Sequence, residues 1–448
     1  MIDDRIHGND LWRKAPATLS MLTSLLGSIL ALMLAAASPA WAQGITERVS
    51  AGLGGAQGNG ESYGATISAS GRFVAFQSKA SNLVPGDTNG QPDVFVRDRQ
   101  AGTTERMSVG AAGVQADSGS YVAAISANGR FVAFVSNATN LVAGDTNLRN
   151  DIFVRDRQTG TTERVNVGSN GDQANSTSDY PAISANGRFV AFMSLADNLV
   201  PGDDNGDFDV FVRDREAGTT QRVNVGVGGV QSDQGGAGAA ISADGRFVAF
   251  TSLGVLVSGD TNGMSDVFLR DQKAGTTRRM SRASGGRQGN GHSYNAVISA
   301  TGRFIAFASE ASNLVQSDSN GKVDVFVRDR QTSITERVSL GSTGAQANRR
   351  SLYTAISADG RFVAFTSLAT NLVSRDTNRV DDVFLRDRQM ATTQRVSVGP
   401  EGVQGNAKSY GPAISSDGRV VAFTSRASNL IPVDTNNGRD VFVRILSH

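Results

Sequence analysis

Seven copies of one acidic loop carry most of the chemistry in this sequence. The loop reads Asp-x-Asn-x-x-x-Asp, at Asp87/Asn89/Asp93, Asp145/Asn147/Asp151, Asp203/Asn205/Asp209, Asp260/Asn262/Asp266, Asp318/Asn320/Asp324, Asp376/Asn378/Asp382 and Asp434/Asn436/Asp440. Oxygen ligands at alternate loop positions resemble the opening of a calcium loop, where a hard cation takes about six to eight oxygens. The fifth position decides which copy could serve. It holds Gln91, Arg149, Asp207, Met264, Lys322, Val380 and Gly438, and an Arg or Lys beside a dication is unfavourable. Only Asp207 is a carboxylate, so one calcium is expected, at Asp203, Asn205, Asp207 and Asp209. The competing reading is a turn device, with an Asx-turn at the first Asp and the last Asp opening a strand.

Two further sets of residues could recognise a ligand. All six tyrosines, Tyr63, Tyr121, Tyr180, Tyr294, Tyr353 and Tyr410, read as occupying one repeat position, and Gly238 takes that place in the remaining copy. An aromatic ring open at one side would grip a peptide or a sugar; the plainer role is packing, with each hydroxyl finding a partner. Arg278, Arg279, Arg282 and Arg287, with Arg349, Arg350 and His292 near them in the pattern, form a basic patch. Such a patch suits an anionic partner, a polysaccharide or lipid head groups. A repeated glutamine (Gln57, Gln115, Gln173, Gln231, Gln288, Gln346, Gln404) is expected to tie one loop to its neighbour.

Composition removes several function classes. Lys and Arg number 43 against 42 Asp and Glu, a formal charge of +1, so a strongly basic nucleic-acid binder is excluded. Cysteine is absent, which excludes disulfides, thiolate zinc sites and a Cys nucleophile. The histidines are His7, His292 and His448. A Ser-His-Asp relay would rest on His292, which sits among glycines without a nucleophile motif. Paired carboxylates could cleave glycosides, but here they repeat sevenfold as a loop device.

The elements that position these groups are repeats. Gly-Arg recurs at 71–72, 129–130, 187–188, 245–246, 302–303, 360–361 and 418–419, spaced by 58 residues and once by 57. Each unit predicts four strands: Tyr-x-x-Ala-Ile-Ser, a tight Asn-Gly or Asp-Gly hairpin, Arg-Phe-Val-Ala-Phe-x-Ser, then Asp-Val-Phe-Val-Arg-Asp and Thr-Glu-Arg-Val-Ser-Val. Residues 45–50, Ile-Thr-Glu-Arg-Val-Ser, match a fourth strand, and the last unit stops after its third, at Asp440–Arg444. One unit is thus split across the termini, as ring closure requires. The fold class is all-β: a seven-bladed β-propeller of four-stranded antiparallel blades, closed by the N-terminal strand completing the last blade.

Residues 1–42 read differently. Arg5, Arg13 and Lys14 precede an apolar run from about Met21 to Ala37, and Ala-Trp-Ala follows at 40–42. This order is that of a cleaved secretory signal peptide, leaving 43–448 as the propeller, with no membrane span after cleavage.

The Ile-Ser-x-Asp-Gly-Arg-x-Val-Ala-Phe-x-Ser and Asp-Val-Phe-Val-Arg-Asp motifs resemble the WD40-like PD40 repeat of TolB-family β-propellers, across all seven units and essentially residues 44–448. The resemblance implies fold and export. TolB carries an additional α/β domain before its propeller, where this sequence has the leader, so it does not imply the Tol–Pal role. The expected function is a monomeric binding scaffold, periplasmic or secreted, for protein-protein interaction at the bacterial cell envelope. A carbohydrate-binding propeller and a propeller hydrolase or lyase are the alternatives.

Overall fold

The computed structural model describes residues 44–447. The leader read over 1–42, with His7 and His448, lies outside them. Alternation of Val, Ile, Phe and Ala with turn residues yields 28 strands in seven four-stranded antiparallel sheets. Blade one runs outward through Ser62–Ile67, Phe73–Ser78, Asp93–Asp98 and Thr103–Arg106. Blades two to six repeat it, and blade seven is the split unit. Its outermost strand is Ile45–Arg48, paired with Asp440–Ile445 so that Ile45 faces Ile445 and Arg48 faces Phe442.

The middle strands are buried on both faces because each blade is covered by two neighbours. In Asp93–Asp98 five of six residues are buried, which is why this run is continuously apolar at its centre rather than alternating. The core therefore lies between blades. Ala75, Val94 and Val96 of blade one pack with Val132, Phe134 and Phe153 of blade two. Within each blade the two central strands set a phenylalanine pair face to face, as Phe76 and Phe95 do with ring centroids 5.9 Å apart. Offset stacking of this kind adds about 0.5–1.5 kcal/mol to the burial of the rings themselves.

The two faces of the ring are held by different devices. On the face of the tight hairpins, Arg72 donates from Nε and Nη2 to Asp98 at 2.9 and 2.6 Å, and five more blades repeat the fork. Hairpin glycines meet the preceding blade: Gly129 has φ of 74°, and its backbone lies so close to the Phe73 ring that a Cβ would collide with it. The residues beside these hairpins also close a cycle of backbone hydrogen bonds. Ala69 donates to Ala127, Ala127 to Ala185, Ala185 to Ala243, Ala243 to Ala300, Ala300 to Ala358, Ala358 to Ser416, and Ser416 to Ala69. On the opposite face, Gln57 donates to Asp434 at 2.7 Å across the closure, as Gln115 does to Asp87 at 2.9 Å. The repeated glutamine is a loop tie.

Candidate binding site in the central channel

The innermost strands of all seven blades enclose a central channel of about 610 Å³. Their residue directions correct the reading of the tyrosines. Counted back from the common Ile, Tyr63, Tyr121, Tyr294 and Tyr410 are second in the strand, whereas Tyr180 and Tyr353 are third. The six do not form one ring, because adjacent strand positions aim differently.

The third position is unusual in every blade. Pairing with the second strand slips there, giving a β-bulge. The bulged residue is left-handed throughout: Gly64 (φ 70°), Val122 (45°), Tyr180 (51°), Gly238 (61°), Asn295 (55°), Tyr353 (49°) and Gly411 (62°). Bulges re-aim side chains, and these seven all line the channel. Three are glycine, as the backbone favours. Four bear a Cβ at a conformation that costs on the order of 1–3 kcal/mol. Neighbouring blades secure some of the bulges: Val122 N–H donates to Gln77 Oε1 at 2.7 Å, and Gly411 N–H to Thr366 Oγ1 at 3.2 Å. Tyr180 and Tyr353 are 55% and 52% exposed, so their rings stand in the channel rather than in packing.

The other tyrosines are engaged locally. The Arg439 guanidinium lies 4.3 Å from the Tyr63 ring centroid, and its Nη1 donates to Tyr410 Oη at 3.5 Å. Tyr121 packs against Gly119. Tyr294 borders the channel and donates from Oη to Glu310 at 3.4 Å. Asp179, which stands where blade one has Tyr63, is half-buried and accepts only the Tyr180 N–H, at 2.8 Å; burial raises its pKa. The residues lining the channel are Gly, Ala, Pro, Val, Thr, Asn, Gln and Tyr, so its wall presents no carboxylate, imidazole, ammonium or guanidinium.

The acidic loops lie on the same face as the glutamine ties. In blade three, Asp203 and Asp209 come together around Arg222, whose Nη1 is 3.0 and 3.1 Å from their oxygens. Gln231 donates to both carboxylates at 2.9 and 3.3 Å. Asn205 donates to Asp209 at 3.2 Å and makes the Asx-turn by accepting the Asp207 N–H at 3.0 Å. The turn thus belongs to the Asn of the motif rather than to its first Asp. Asp207 is exposed, whereas Asp209 is buried. Burial, then the Asp209 charge, lifts the Asp203 pKa to about 6. Among the described residues, no group of three or more His, Cys, Asp or Glu is arranged to hold a metal ion.

The residues of the basic patch do not all act together. Arg279 is buried and belongs to the repeated acidic cluster, 2.9 Å from Asp260 and 3.2 Å from Asp266. Arg287 is exposed, donating to Asn313 O at 3.5 Å. Arg282 faces a groove between blades four and five with Arg278, Arg328 and Arg330, which Arg279 also borders. Arg350 pairs with Asp381 at 3.2 Å. His292 accepts the Ser265 N–H on Nδ1 at 3.0 Å, which occupies that nitrogen.

No family model matches the chain, and no curated protein does. Solved structures do. TolB from Acinetobacter baumannii aligns at 16% identity over 77% of this chain, with a TM-score of 0.40, and the match spans 65% of that TolB. An oligogalacturonate lyase in complex with manganese aligns at 11% identity over 91% of this chain and 96% of its own, with a TM-score of 0.54. The β-propeller domain of the Trilobed protease from Pyrococcus furiosus aligns at 9% over 86% and 97%, with a TM-score of 0.52. What the chain shares with the lyase and the protease domain is the propeller fold itself.

Proposed function

We propose that this chain is an exported, non-catalytic binding propeller that takes a segment of a protein partner into its channel at the bacterial cell envelope. One observation carries the reading. Among near-identical blades, the bulged lumen position changes from copy to copy, and at Tyr180 and Tyr353 it holds an exposed aromatic in a strained conformation. Strain kept at one varied position favours function over packing, and rigid aromatics are what interfaces use as anchors. A lumen wall without carboxylate, imidazole, ammonium or guanidinium favours binding over hydrolysis or elimination.

The partner's class is supported by blade four. There Val255 replaces the asparagine that elsewhere ties the two loops of this face, as Asn82 does by donating to Gln57 O at 2.8 Å. Val227, Val230, Leu253 and Val255 are exposed on those two loops, which pack together at Gly226 and Leu256. Exposed apolar side chains on these two loops fit a polypeptide better than a polar sugar. A neutral saccharide stacked on Tyr180 and Tyr353 is the second reading, favoured by the buried, unpartnered Thr66 hydroxyl. No helix among the described residues is long and apolar enough to cross a membrane. The test compares residues 43–448 with the Tyr180→Gly/Tyr353→Gly variant as bait in envelope extract and on a glycan array. A protein retained by the first and lost from the second supports the scaffold; glycan binding lost in the same way transfers the site to the second reading.

A further inference from the structure

Blades four and five differ from the repeat at two positions that face one groove. On the outermost strand, blades one, two, five and seven place glutamate where blade four has Arg278, namely Glu105, Glu163, Glu336 and Glu47, while blades three and six have Gln221 and Gln394. Those glutamates receive an arginine from the next blade, as in Arg99–Glu47 at 2.8 Å and Arg157–Glu105 at 3.0 Å. Arg330 is the corresponding arginine of blade five, and it meets Arg278 in place of a carboxylate. The second change is Arg282, at a position that is Val109, Val167, Val225 and Val398 in other copies, all buried.

These two arginines join two that the fold supplies. Arg328 is 4% exposed; its Nη1 donates to Arg282 O, Ala283 O and Thr335 Oγ1 at 3.3, 3.1 and 2.9 Å. Arg330 donates from Nε to Gly302 O at 2.7 Å and lies over the Phe247 ring. Arg282 donates to Gly286 O at 2.7 Å and leaves a buried Nε without a partner. The nearest carboxylates are already taken: Asp271 by Arg246 and Asp329 by Arg303. Five arginines therefore line a groove of about 570 Å³; Arg279 is paired with Asp260 and Asp266, and among the described residues the other four face it with neutral oxygens and no free counter-charge.

We propose that this groove is a binding site for a phosphate- or sulfate-type oxyanion, free or carried on a sugar. Guanidinium forks match tetrahedral oxyanions bidentately, and an anion there relieves the repulsion among the arginines. The groove is larger than a bare anion, so it admits the unit that carries one.

The test is thermal unfolding of residues 43–448 at constant ionic strength in chloride, sulfate, inorganic phosphate or glucose 6-phosphate. The comparison protein is Arg278→Glu/Arg282→Val, which restores residues that other blades fold with. The wild type is expected to gain a few degrees in sulfate or phosphate over chloride, as ligand binding to the native state requires. A larger gain in glucose 6-phosphate marks the carried group as the ligand, and an equal gain marks the free anion. The variant is expected to melt higher in chloride and to lose the anion response, while Arg287→Ala keeps it. No response in the wild type, or the same response in the variant, overturns the site.

Discussion

Tyr180 and Tyr353 occupy a backbone conformation that glycine adopts freely, and blades one, four and seven do use glycine there. Replacing either tyrosine by glycine trades a half-exposed ring for relief of left-handed strain. Stability is therefore expected to stay within about 1 kcal/mol of wild type, measured by urea unfolding, while partner capture is lost. Tyr63→Gly should cost clearly more, because its ring carries the Arg439 contact. Calcium is decided at the same scale. Arg222 already neutralises Asp203 and Asp209, so a cation must compete with it. Removing the guanidinium in Arg222→Gln frees those oxygens, and a calcium-dependent rise in melting temperature is expected in the variant and not in wild type. A rise in wild type reversed by EDTA would instead place a cation at Asp203–Asp209 with Arg222 displaced. The tyrosine offset was visible in the sequence: Ser-Tyr-Val-Ala-Ala-Ile and Ser-Asp-Tyr-Pro-Ala-Ile differ by one place. Its consequence was not, because only the bulge turns the third residue into the lumen.

Strands and their connecting loops set the response to pH. Along the hairpin face, the Arg72 fork holds Asp98 down at about 2, and the Arg188 and Arg246 forks likewise depress Asp214 and Asp271. A carboxylate with a depressed folded pKa contributes stability above its unfolded value of about 3.9, lost as pH falls through the folded pKa. On the acidic loops the sign reverses. Burial, with the neighbouring carboxylate of each loop adding to it, raises Asp151 and Asp203 to about 6. Protonating them favours the fold, so stability rises as pH falls from about 6 towards 4. The urea midpoint is accordingly expected to increase from pH 7 to pH 5 and to drop below pH 4. A midpoint that declines steadily from pH 7 would show that the loop carboxylates are held ionised by their donors. The strands and hairpins were legible from Val-Phe-Val runs and Asn-Gly turns. The arginine groove was only half legible, since Arg278 and Arg282 stand out in sequence but Arg328 and Arg330 reach them from the next blade.

At the scale of the whole molecule, the ring is closed three ways. The strand Ile45–Arg48 completes blade seven, Gln57 reaches Asp434, and Ser416 donates to Ala69 at 2.9 Å to finish the cycle of amides. This architecture could be read in advance because a split unit at the two termini has few other solutions. A closed ring also holds the seven lumen positions at fixed separations, so a segment taken into the channel would meet side chains already in place. The most direct measurement is site-specific photo-cross-linking in envelope extract. A benzophenone side chain replaces Tyr180, Tyr353 or, as control, Met390, which is 63% exposed on the hairpin face. The same protein cross-linked from 180 and from 353, and not from 390, is the expected result. A folded propeller that yields no adduct from the lumen, or the same adducts from 390, would contradict a binding role for the channel.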